Sequence, residues 1–188
     1  MLKQACEQLK SWQACPAKQH IMVSVNVSAV QFRQAGFVDE VVTLILETGI
    51  PPALLKLELT EGTVLDNIDD TVRKMVALRA IGVRLSMDDF GTGYSSLAYL
   101  KQLPFTQVKI DKSFVRDIVD DINDAAIVQA IVAISKTLGL SVIAEGVETR
   151  AQFDLLMQYR CHKFQGYYFA KPVPLDEFEH FVDNSNQA

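Results

Sequence analysis

The sequence predicts an α/β fold in which parallel strands curl toward a barrel, with helices packed outside. Three observations lead there. Short β-rich runs alternate with helical stretches along the 188 residues, the pattern of repeated strand–helix units. Each run has one apolar and one polar face, whereas strands of an ordinary doubly covered parallel sheet are apolar on both. The polar faces carry acids and amides near the C-terminal strand ends, where a barrel of this kind gathers its reactive groups. An antiparallel sheet with one wet face is the rival, and the intervening helices argue against it.

The elements follow in order. The opening MLKQACEQLKSW is polar and helix-like, without the features of a signal peptide. The β runs are MVSVNVS (22–28), LKLELTE (55–61), VRLSMDD (83–89), QVKID (107–111), SVIAEGV (141–147) and KFQGYYFA (163–170). Helices are expected at 36–48, 69–81, 95–102, 124–138 and 150–159, with a last one at 175–182 after Pro172 and Pro174. The 124–138 stretch shows the reason: Ile127, Ala130, Ile131 and Ile134 recur at helical spacing. In alternation, Val23, Val25, Val27, Leu57, Leu59, Val83, Leu85, Met87, Val108, Ile110, Val142 and Ala144 form the helix-facing side.

Composition narrows the function. With 49% hydrophobic and 22% charged residues the chain reads as an ordinary globular domain with enough length for a core. A net charge of −5 argues against a nucleic-acid polymer or an anionic membrane as partner, although a bound cation or local lysines can still recruit an anionic ligand. Cys6, Cys15 and Cys161 lack C-x-x-C spacing and read as reduced cytoplasmic thiols. No apolar run reaches the length of a membrane span. His20, His162 and His180 follow no metal-ligand spacing.

The polar face supplies the chemistry. Asn26, Glu58, Asp88, Asp89, Lys109, Asp111, Glu145 and Gln165 lie near the ends of separate strands. Acids aimed at one mouth repel one another unless a cation joins them, and carboxylate and amide oxygens suit Mg²⁺ or Mn²⁺. Asp88 is expected to end its strand pointing into the mouth, with Asp89 already in the turn and free to swing to the same rim. Two metals about 3.5–4 Å apart need a bridging carboxylate, which adjacent acids can provide. Gly91 and Gly93 allow a tight loop over the site, and Ser95 or Ser96 can cap the next helix.

Taken together, VSVNVSAVQF, LELTEG, DDFGTGYSSLAYL, VKIDKSFV, VIAEGVET and QGYYFAKPVP resemble the EAL-domain family of bacterial cyclic-di-GMP phosphodiesterases, in collinear order over nearly the whole chain. The resemblance implies a TIM-like (β/α)8 barrel of the EAL type whose first strand is antiparallel to its neighbour. It implies hydrolysis of cyclic-di-GMP to linear pGpG with two Mg²⁺ or Mn²⁺ ions. Carried over, Asn26, Glu58, Asp88 and Asp89 match metal ligands, and Glu145 a metal- or water-associated acid. Lys109 matches the lysine at the attacking water, Asp111 an acid near the second metal, and Gln165 a polar residue behind the site. Glu61 matches the glutamate that holds the DDFGTGYSSL loop, close to the family's dimer interface. A homodimer, a cytoplasmic location and upstream sensory or GGDEF domains in the parent protein are implied too.

No Glu-Ala-Leu tripeptide occurs in the chain, and His162 stands where the family often has an acid. The expectation is one EAL domain over 1–188, comprising its C-terminal three-quarters or more, a barrel incomplete at the N-terminus and poorly active alone. A non-catalytic cyclic-di-GMP receptor or regulatory module is the alternative, and an unrelated metal-dependent aldolase or enolase-type barrel a third reading. The presence of Glu58, Asp88, Asp89, Lys109, Glu145 and Glu61 favours catalysis in the intact protein.

Overall fold

The structure, a computed structural model, describes residues 1–65, 67–93 and 97–185. Helix α1 (Leu2–Gln13) leads into β1 (Val23–Asn26), followed by α2 (Ala29–Arg33) and α3 (Phe37–Thr48). Strand β2 (Leu55–Thr60), α4 (Glu61–Leu65) and α5 (Ile68–Ala80) come next, then β3 (Arg84–Phe90) and α6 (Leu97–Gln102). Strand β4 (Gln107–Ile110) is followed by α7 (Lys112–Arg116) and α8 (Ile122–Thr137), β5 (Ser141–Glu145) by α9 (Arg150–Gln158), and β6 (Phe164–Gln165) by α10 (Leu175–Ser185).

Helix starts are set by short polar side chains. Ser28 and Thr149 form capping boxes with Gln31 and Gln152, and Asn67, Asp111 and Asp121 each accept a bond from the first turn of their helices. At the other end of α3, Gly49 adopts φ 70°, a conformation cheap only without a Cβ.

The six strands form one sheet in the order β1-β2-β3-β4-β5-β6, with every pairing parallel. Register carries the alternation across it. Val25, Leu57 and Leu85 pair on the outer face and are buried beneath helices, as are Leu59, Met87 and Val108. The polar face lines the inside of a curled half-barrel. Among the described residues β1 and β6 do not pair, so the barrel is open, as the expectation of an incomplete one had it. The gap is spanned outside the sheet. Trp12 Nε1 and Gln8 Nε2 donate to Glu179 Oε1 at 2.7 and 3.0 Å, and Lys18 Nζ meets Asp183 Oδ2 at 3.0 Å, fastening α10 to α1.

Two expectations need correction. The run 163–170 is a strand only over Phe164–Gln165, because Gly166 turns so closely past Val147 that a Cβ there would overlap the Val147 backbone. The runs at 22–28 and 141–147 also shorten to Val23–Asn26 and Ser141–Glu145. Helices α2, α4 and α7 were not expected; five residues each, they are too short to display a helical period. No described helix is long and apolar enough to cross a membrane.

Candidate metal centre and active site

The mouth is organised by an irregularity in β3. Ser86 and Met87 pair with Gln107 and Val108, but Phe90 pairs with Ile110. Three steps on β3 therefore match two on β4, which is a β-bulge carrying one extra residue. Asp89 takes the left-handed conformation, φ 52°. Two consecutive side chains, which regular pleating would send to opposite faces, thereby both reach the mouth. Asp89 lies within the strand, not in the turn as its sequence position implied. Gly91 follows at φ 99°, where a Cβ would come within 3.0 Å of the Phe114 ring.

Carboxylate oxygens of Asp88, Asp89 and Glu145 lie within 4.8 Å of one another. Lys109 reaches into this cluster. Its ammonium is 2.7 Å from Glu58 Oε2, 2.8 Å from Asp88 Oδ1 and 2.8 Å from Glu145 Oε1. Burial alone would lower the Lys109 pKa, but the bonds from Asp88, Glu145 and Glu58 outweigh it and hold the group above its ordinary value. Burial raises Glu145, against the pull of Lys109. Burial also raises Asp89, with Asp88 and Asp111 adding repulsion. Burial would raise Asp111 as well, yet bonds from the Ser113 hydroxyl and amide leave it below the usual carboxylate range.

The remaining predicted residues surround this centre. Asn26 ends β1 in register with Glu58, exposed at the rim. Asp111 caps α7, accepts from Ser113 N at 2.8 Å, and lies close enough to Asp89 to repel its carboxylate. Gln165 is beside Glu145 in register and lines a 420 Å³ cavity with Lys112, Glu148, Tyr167 and Lys171. Sequence reasoning missed these last four. The signal was present, because Lys112 and Glu148 sit one and three residues beyond Asp111 and Glu145. His20, His162 and His180 are exposed and outside the acidic cluster.

Glu61 opens α4 instead of ending β2, and is 5% exposed. A Cβ on Gly93 would lie 2.5 Å from Glu61 Oε1, so the carboxylate is pressed against the loop after β3. Among the described residues its oxygens accept no hydrogen bond, so contact with Gly93 is found but bonding to the Gly91–Gly93 amides is not. The expected helix cap at Ser95 or Ser96 falls outside the described residues.

The sequence profile of the EAL domain matches residues 1–172. The chain belongs to the EAL-domain family. It is 43% identical over 177 residues to MucR of Pseudomonas aeruginosa, a bifunctional diguanylate cyclase/cyclic di-GMP phosphodiesterase, covering 94% of this chain and 26% of MucR. It is 43% identical to NbdA of the same organism, a cyclic di-GMP phosphodiesterase, covering 97% of this chain and 23% of NbdA. The chain thus spans about a quarter of the length of these curated relatives. The MucR phosphodiesterase in complex with c-di-GMP superposes with a TM-score of 0.88 at 43% identity, over 94% of this chain and 71% of that one. BlrP1 of Klebsiella pneumoniae, solved with manganese and c-di-GMP, superposes at 0.80 and 30% identity, over 92% and 44%.

The donor set of this EAL domain fits a hard divalent cation. It offers converging carboxylate oxygens from Asp88, Asp89 and Glu145 without sulfur or imidazole, and an ammonium already occupies part of the same negative field.

Proposed function

We propose that this chain supplies the catalytic core of a metal-dependent phosphodiesterase that opens cyclic-di-GMP to linear pGpG. The observation that carries this reading is the convergence of Asp88, Asp89 and Glu145 around Lys109 at the mouth of an EAL half-barrel. Asp88, Asp89, Asn26 and Glu58 would hold two Mg²⁺ or Mn²⁺ ions, with Glu145 as a further ligand or water partner. When bound, the ions polarise phosphoryl oxygens and lower the pKa of water.

The chain's own groups do the rest. Lys109 orients the attacking water and offsets charge developing on the phosphoryl oxygens. Asp111, pinned by Ser113, positions Asp89. Glu61 supports the loop through Gly93. Gln165 faces the substrate from the adjoining cavity, where Lys112 and Lys171 suit a dianionic backbone and the Tyr167 ring a flat base. Hydrolysis joins the water oxygen to phosphorus, breaks one P–O3′ bond and leaves a 5′-phosphate. The reading includes a homodimer and sensory or GGDEF domains in the parent protein.

The test is pGpG release by the parent protein in Mn²⁺. Asp88→Asn should lower turnover at least about 100-fold with the fold retained, since even an outer partner of a metal ligand costs about 10–100-fold. Near-normal turnover in that variant would overturn the two-metal assignment. Binding of cyclic-di-GMP without pGpG release by the unaltered parent would install the receptor reading instead.

A further inference from the structure

The inner face carries a second charged cluster, nearer the N-terminal strand ends, that the mouth chemistry does not use. Register places Lys56 of β2 beside Arg84 of β3, each on the face that carries Glu58 and Asp88 further along. Lys163, two residues before Gln165, shares the inner face with it, and its carbonyl accepts from Ala144 N at 3.0 Å. Arg84 and Lys163 both lie close enough to Lys56 to repel its ammonium.

None of these cations has an acidic partner among the described residues. The half-buried Lys56 donates to the neutral Gln107 Oε1 at 2.8 Å, and Gln107 passes its amide to Ser141 Oγ at 2.9 Å. Glu58 attracts Lys56, but its carboxylate is engaged 2.7 Å from Lys109. A second, independent observation lies in the same place. Ser86, fully buried between Arg84 and Asp88 on this face, has a hydroxyl with no hydrogen-bond partner. Like charges held together beside a buried, unpaired donor carry a cost that an anion would remove.

We propose that the floor of the half-barrel binds a phosphate-class oxyanion through Lys56, Arg84 and Lys163, with the Ser86 hydroxyl donating from above. The guanidinium fork and paired ammoniums match tetrahedral oxyanion geometry. The site sits two strand residues, about 7 Å, below Glu58 and four, about 13 Å, below Asp88, and is separate from the proposed hydrolysis.

The test is thermal unfolding of the 188-residue chain in EDTA, with inorganic phosphate against sodium chloride at matched ionic strength. Phosphate should raise the unfolding temperature with the logarithm of its concentration, by about 3–6 °C at ten times its dissociation constant. Arg84→Gln and Lys163→Ala, both at exposed positions, should each weaken that response about tenfold, and together abolish it. Broadening of the ³¹P phosphate resonance by the wild-type chain, lost in the double variant, should agree. Lys56→Met is the stronger change; if it fails to fold, the exposed pair still decides. A phosphate effect no larger than that of chloride, or one unchanged in the double variant, overturns the site.

Discussion

Removing the Lys109 ammonium should show how tightly the mouth is strung. In Lys109→Met the Glu58, Asp88 and Glu145 carboxylates, whose side chains are only 8–16% exposed, face one another without the cation they contact at 2.7–2.8 Å. Deleting one partner of a buried ion pair costs about 3–5 kcal/mol. For a domain of this size each kcal/mol moves the unfolding temperature by about 2–4 °C, so the metal-free variant should melt about 6–20 °C below wild type. A divalent cation at 100 times its dissociation constant returns about 2.7 kcal/mol, between about half and nine-tenths of the loss. Mn²⁺ should therefore raise the melting temperature of the variant more than that of wild type, where the ammonium competes for the same oxygens. The gap between the metal-free proteins should narrow on acidification, because burial raises the Glu145 pKa and protonation relieves the repulsion. Calorimetry with and without Mn²⁺ is the assay. A metal-free variant within about 2 °C of wild type, or equal Mn²⁺ shifts in both, would refute the view that Lys109 neutralises the mouth.

Other outcomes test separate links. Asp89 and Glu145 hold their protons more tightly folded than unfolded, so their contribution to metal-free stability is present below the unfolded pKa values and lost as pH rises through the raised ones. Cation binding needs those protons gone, so the Mn²⁺-induced shift should grow as pH rises through the raised pKa values of Asp89 and Glu145; a pH-independent shift contradicts this. Glu61→Ala should increase chymotryptic cleavage after Phe90, and should relieve the destabilisation of Gly93→Ala, whose methyl would meet Glu61 Oε1 at 2.5 Å. Strictly additive effects in that double-mutant cycle would deny the contact. Glu179→Ala strands the indole N–H of Trp12, the single tryptophan of the chain, and should cost about 1–3 kcal/mol. A red-shifted fluorescence with faster amide exchange in α10 is expected, and an unchanged spectrum with unchanged exchange would count against the α1–α10 fastening.

What could be read beforehand follows from which interactions are local. Val-Ser-Val-Asn and Leu-Lys-Leu-Glu-Leu announce two-sided strands because pleating maps neighbouring residues onto opposite faces. That rule placed Asn26, Glu58, Lys109 and Glu145 on one face correctly. It misplaced Asp89, because a bulge is a mismatch between two strands and leaves no mark in either alone. The end of β6 was overextended for a similar reason: Tyr167 and Phe169 have strand propensity, but the close approach of Gly166 to Val147 comes from a segment about 20 residues away. The bond between Trp12 and Glu179 spans 167 residues and has no local signature. The Lys109 contacts to three acids likewise required knowing which strands become neighbours.

The bulge at Asp88–Asp89 also governs which changes of chain length the domain can absorb. Deleting one residue there would restore the even count between β3 and β4 and leave a single carboxylate at the mouth, between buried Met87 and Phe90. An inserted residue would shift Phe90 from its buried position and carry Gly91 away from the Phe114 ring it touches. Substitution at either aspartate removes a charge, whereas a length change rotates the whole strand end. Libraries that vary this segment should therefore keep its residue count constant and confine insertions to the loops on the far side of the half-barrel, where the strands begin.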